Sequence, residues 1–166
     1  MKLHKLLYLV QAAHLVWFGA PAFSERIEAW IYGPVTRTVA GRYSQFGSSP
    51  ITRVLGGRGD RLSTRQRWTI QQISGTYGRV DGFQLAEMLK ADGSPWRQVR
   101  EGLPDDVPSN EPISLALIAS YHADHGLPIE SRPSKQENEL AQRVLDGDAD
   151  ALDDLFELVT GIRPDA

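Results

Sequence analysis

The opening stretch, MKLHKLLYLVQAAHLVWFGAPA, constrains the fold more than any other part of the chain. Leu3, Leu6, Leu7, Val10 and Trp17 recur at i, i+3, i+4, i+7 and i+14, the spacing of one face of an α-helix. The same residues imitate a secretory leader, with two lysines, an apolar stretch and an Ala-Pro-Ala sequence at 20–22. The imitation is incomplete: the longest unbroken apolar run is Leu6 to Val10, Gln11 ends it, and His14 interrupts the next. We therefore expect an amphipathic, mostly buried helix from about Lys2 to Phe18, stopped by Gly19-Ala20-Pro21. No segment reaches the ~18 apolar residues that a membrane span requires, and no membrane partner is expected.

Downstream, RIEAWIY is rich in β-prone residues and predicts a short strand. Pro34 suits the first position of a second helix, whose core stripe would be Val35, Val39, Tyr43 and Phe46. Gly33-Pro34 would then fix a strand-to-helix corner, with Trp30 and Tyr32 packed into it in preference to being exposed as binding anchors. GSSPITRVLGGRGD reads as a loop, with room for a second short strand at Ile51 to Leu55. Ser63 with Gln66 forms a capping-box pattern that opens a third helix facing inward through Ile70, Ile73 and Tyr77. Asp81 caps a fourth, carrying Leu85, Met88 and Leu89. A proline-rich connection anchored by Trp96 leads to a fifth helix, Ile113 to His125, facing inward through Leu117, Ile118 and Tyr121. GLPIESRPS reads as a linker, followed by two short helices near 136–145 and 149–160. The fold class expected is mainly α: a compact helical domain with a short β-strand or hairpin and a C-terminal helical extension.

At 166 residues and 41% apolar composition the chain is long enough to bury a core without covalent staples. With no cysteine it has no disulfide framework, thiol nucleophile or Cys-type zinc site, which agrees with a reducing cytoplasm. A net charge of −3 disfavours a nonspecific nucleic-acid binder. The charge is uneven: residues 134–166 hold three basic and nine acidic side chains, against fifteen and twelve in residues 1–133.

Candidate chemistry is sparse. Asp146, Asp148, Asp150, Asp154 and Glu157 match calcium-loop spacing, but Ala151 stands where the turn needs glycine, so an N-capped helix accounts for them better. His122 and His125 share a helix face without a third ligand and read as surface residues at a helix C-terminus; His4 and His14 lie on another helix. Arg53, Arg58, Arg61, Arg65 and Arg67 cluster among glycines but lack a P-loop ending, which leaves a solvated, partner-facing loop. No serine elbow occurs. No catalytic set, cofactor or metal is expected.

The order of several short motifs resembles the Panacea domain, the SocA-like antitoxin family. They are Lys2, Leu3, Lys5, Leu6, Leu7 and Tyr8 in the first helix; Glu28, Ala29 and Trp30; Tyr32, Gly33, Pro34 and Val35; then Tyr43. Farther on, Tyr77-Gly78, Leu85, Pro95-Trp96 and the segment PISLALIASYH continue the likeness, to about residue 122. Family members usually carry a helix before the Lys-Leu motif, so the start is expected to be shortened or the core closed differently here. The resemblance implies a domain over 1–126, with 127–166 as an acidic helical extension packed on or beside it. It also implies a non-enzymatic antitoxin that neutralises a cognate toxin, encoded next to it, by direct binding, with a homo-oligomer within that complex as one arrangement. The motif residues would build the scaffold or contact the partner. Two alternatives stay open: an adaptor delivering the toxin to a Clp-type protease, and a DNA-binding autoregulator using the arginine loop. An enzyme whose site gathers His14, His122 or His125 with carboxylates is the remaining class.

Overall fold

A computed structural model describes residues 1–47 and 49–127, and beyond them only 136, 139, 140, 143, 148, 150, 151 and 154. The first helix, α1 (Lys2–Phe18), is the spine, and Gly19 ends it in the left-handed conformation at φ 66°. It packs against β2 (Gly33–Thr36), α3 (Thr64–Tyr77), α4 (Gly82–Leu89) and α6 (Leu115–His125). Surrounded on so many sides, it buries more than one stripe: every residue from Tyr8 to His14 is buried, while Leu3, Leu6, Leu7 and Trp17 of the expected face are only half-buried. Ala12 and Ala13, fully buried, let neighbouring elements approach closely. Gln11 stitches the following turn back onto the helix. Its Oε1 accepts from the N–H groups of Ala22 and Phe23, and its Nε2 donates to the Phe23 carbonyl.

β1 (Ile27–Trp30) pairs antiparallel with β2 in the register Ile27 to Thr36, Glu28 to Val35, Ala29 to Pro34 and Trp30 to Gly33. This corrects the expected second helix. Pro34 lies inside β2, and the helix α2 (Arg37–Tyr43) begins three residues later, with none of its side chains buried. The cause is the two-residue tip Ile31-Tyr32, which turns the chain back through Gly33 at φ 94°. Proline is tolerated because a two-stranded hairpin leaves one edge of β2 without a ladder partner. Residues 111–113 run along the other edge of β1, where the Ala29 N–H donates to the Glu111 carbonyl and the Ile113 N–H to the Ile27 carbonyl. Ile113 is therefore extended rather than helical, and α6 starts two residues later under the Ser114 cap.

Local caps behave as expected from the chain. Ser63 and Gln66 form both bonds of a capping box at α3, and Asp81 does the same with Gln84 at α4. The inner face of α3 is Trp68, Thr69, Ile73 and Tyr77; Ile70, expected inside, is exposed. Residues 51–55 form no strand. The proline-rich connection contains a short helix, α5 (Pro95–Val99), where Pro95 takes the N1 position expected of Pro34 and Ser94 caps. The fold is thus mainly helical with one small hairpin. No helix among the described residues is long and apolar enough to cross a membrane. The expected linker, the two final helices and the domain boundary near 126 lie largely outside the described residues.

Candidate functional site

The hairpin tip exposes two large aromatic side chains side by side. Tyr32 is 64% exposed and Trp30 sits beside it at the surface. This overturns the expectation that both pack the corner: Tyr32 lies in the two-residue turn, which projects its side chain away from the ladder, and Trp30 ends β1 at the surface. Beneath the tip lies a cavity of about 440 Å³, lined by His4, Lys5, Trp30, Tyr32, Val35 and Pro108 among others.

Lys5 forms the floor. It is fully buried, and its ammonium donates to the Pro34 carbonyl at 3.0 Å. No carboxylate among the described residues pairs with it. Its stem explains Gly33: a Cβ there would stand 3.1 Å from Lys5 Cε, and φ 94° already excludes most side chains. Burial, then the charge of Lys90, lowers the Lys5 amine to about 7. Burial also lowers His4 to about 4, helped by Lys5 and the chain's amino group, and His4 Nδ1 has no partner.

The walls are held from behind. Glu28, buried on β1, accepts from Trp30 Nε1 at 2.8 Å and lies 3.5 Å from Arg37, which anchors the indole. The Trp30 carbonyl accepts from Trp96 Nε1 at 2.7 Å. Arg100, also buried, donates to the carbonyls of Ala29, Pro104, Asp105 and Val107, pinning the segment that leads to Pro108. Arg100 had no signal in the sequence, because its acceptors are main-chain oxygens rather than acids.

The family-motif residues thus divide by location. Lys5, Trp30, Tyr32 and Val35 line the cavity, and Gly33 and Pro34 pack against Lys5. Glu28, Ala29, Tyr8, Pro95 and Trp96 are buried supports. Leu3, Leu6, Leu7 and Tyr43 are half-buried, with Tyr43 accepting from the Leu55 N–H, and Lys2 donates to the Gly78 carbonyl.

His122 was expected at the surface and is buried. Its Nδ1–H donates to the Gly126 carbonyl, which leaves Nε2 to accept from the Tyr8 hydroxyl, each at 3.2 Å. Burial keeps the Tyr8 phenol protonated and lowers the His122 imidazole, so the neutral ring bridges α1 and α6. His125 is exposed and stacks on Tyr121. In the arginine loop, Arg58 pairs with Asp60, Arg67 donates to the Leu62 carbonyl and Arg65 lies over Phe18. Among the described residues no His, Asp and Glu side chains converge as a metal cage. Of the acids with calcium-loop spacing, Asp148 is engaged by Arg143 and by the Ala151 N–H; Asp146 and Glu157 lie outside the described residues.

These depressed bases give stability a definite pH sign. Unfolded, each histidine takes up a proton near pH ~6.5, whereas folded His4 and His122 resist it. Stability is therefore lost as pH falls below ~6.5 toward 4. Lys5 acts with the same sign higher up, adding stability as pH rises from about 7 toward its unfolded value of 10.5. Urea melts at about pH 7.5 and about pH 5 should show a lower midpoint in acid, with His122 contributing to the difference. His122→Gln should reduce that difference; equal midpoints for the unsubstituted chain would refute the assignment.

A sequence profile described as "Antitoxin SocA-like, Panacea domain" matches residues 3–97, from α1 into α5. Antitoxin SocA of Caulobacter vibrioides (strain NA1000 / CB15N) is 30% identical over 112 residues, covering 61% of this chain and 60% of that protein. The alignment thus spans less than two thirds of the relative's own length. No solved structure matches the chain.

Proposed function

From the premise that this chain belongs to the SocA-like Panacea antitoxin family, we propose that it neutralises a cognate toxin, encoded beside it, by binding the toxin directly and occluding its working surface. Family membership carries the proposal. The exposed Trp30–Tyr32 tip supports the direct-binding part, because Trp and Tyr are the side chains that most often anchor protein interfaces. An interface of ~1,600 Å² in total would suffice, and the activity requires no catalytic group or cofactor. In the proposed organisation residues 1–126 form the toxin-binding domain and the acidic 127–166 segment modulates association through charge. Delivery of the toxin to a Clp-type protease is the alternative outcome of the same binding event.

Co-expression with the product of the adjacent reading frame tests this. We expect that product to arrest growth alone, to be tolerated together with this chain, and to co-purify with it. Rescue that persists in a host lacking Clp proteases supports occlusion; rescue that disappears there assigns the adaptor route. A harmless neighbour that does not co-purify overturns the proposal.

A further inference from the structure

The cavity under the hairpin tip holds a buried amine that no acidic group among the described residues offsets. A buried cation is costly unless an opposite charge or full hydrogen bonding compensates it. Lys5 has an acceptor in the Pro34 carbonyl but no carboxylate among the described residues. The groups facing it from neighbouring elements are Lys90, which caps the C-terminus of α4 and pairs with Glu87 at 2.8 Å, and His4 and the chain's amino group at the start of α1. No described residue lining the cavity is Asp or Glu. Glu28, on the adjacent strand, is already committed to Trp30 Nε1 and Arg37. The volume, about 440 Å³, accommodates one or two side chains of a bound polypeptide. The rim offers Trp30 at the end of β1 and Tyr32 in the two-residue turn between paired strands, so little conformational freedom is lost when they are covered.

We propose that this cavity is the anchor site for the toxin, and that it receives an acidic segment of it: a carboxylate side chain drawn toward Lys5 and His4, with an adjoining apolar side chain laid against Trp30 and Tyr32. The proposal rests on the neutralisation reading and specifies where and by what chemistry binding occurs. An anionic occupant is the one that lets the buried Lys5 amine carry its charge, which a basic or neutral occupant would not. A carboxylate over the cavity also favours the charged form of Lys5, so complex formation must draw a proton from solvent at a pH where free Lys5 is largely neutral.

The test is calorimetric titration of the full chain with the adjacent reading-frame product, at about pH 8 in two buffers of different ionisation enthalpy. Binding is expected to take up about half a proton or more, and Lys5→Met should abolish that uptake. Tyr32→Ala, at an exposed position that leaves the core untouched, should weaken binding about 30-fold or more. Val54→Ser, at an 81% exposed position of the arginine loop, should change it less than about threefold. Wild-type binding and growth rescue with no proton uptake, or with Tyr32→Ala as tight as wild type, would overturn the site while leaving neutralisation intact. Loss confined to Val54→Ser would move the interface to the arginine loop. Absence of any wild-type binding would remove the neutralisation reading and the site with it.

Discussion

Trp96→Ala is expected to cost the fold about 4 kcal/mol, near the upper end for deletion of a buried aromatic. The ring is fully buried, and three cations surround it: Arg100 at 4.9 Å, Arg97 at 5.1 Å and Lys90 at 5.6 Å from its centroid. Alanine would leave a cavity, remove those cation–π contacts and orphan the Trp30 carbonyl that Nε1 serves. Trp96→Phe separates the effects, since it keeps most of the ring volume and loses the donor; it should cost about 1–3 kcal/mol. Urea denaturation reads both, and a midpoint unchanged by Trp96→Ala would show that the residue does not organise this end of the core. The same substitution should weaken partner binding, because Trp30, which Trp96 holds by its carbonyl, forms part of the cavity rim.

The second large effect belongs to Arg100. Its guanidinium is buried and serves the carbonyls of Ala29, Pro104, Asp105 and Val107, joining the hairpin to the 104–107 segment. Arg100→Met keeps much of the stem but leaves those acceptors without their donor, for a loss of about 3 kcal/mol. Lysine is no substitute, since a single ammonium cannot reproduce the planar fork, and Arg100→Lys should lose more than half as much. Hydrogen exchange supplies a distinctive readout: amides near 103–107 should lose protection well before those of α1 do. Uniform loss across the chain, or none, would contradict the clamp. Because Arg100 also lies against the Trp96 ring, the double substitution should cost less than the sum of its parts.

Both residues bear on how the site is assembled. Lys5, Gly33 and Pro34 interlock beneath the tip; Trp96 and Arg100 hold the strand and the segment that bound it. A scaffold of this kind keeps one face of the hairpin rigid while leaving Tyr32 at its tip exposed.

What the sequence determined by itself is what neighbouring residues decide among themselves. The Ser63–Gln66 capping box, the Asp81 cap, the Gly19 stop and the helical spacing of α1 all appear in the structure, because each depends on bonds or contacts spanning only a few residues. Trp96 was legible as an anchor from its size in an otherwise polar stretch. The family's motif order was legible too, although it marked residues without distinguishing support from cavity wall. Tertiary structure alone decided the rest. Pro34 fits a helix start or an edge strand equally well, and its place in β2 followed from pairing with β1 and contact with Lys5. Lys5 is marked in the sequence only by its place in the Lys-Leu motif, and it becomes a buried amine once β2 closes over it. His122 reads as a surface residue until Tyr8, 114 positions earlier, supplies its hydrogen bond. In each case the deciding free energy comes from burial and hydrogen bonds between segments far apart in the chain, which no local window contains.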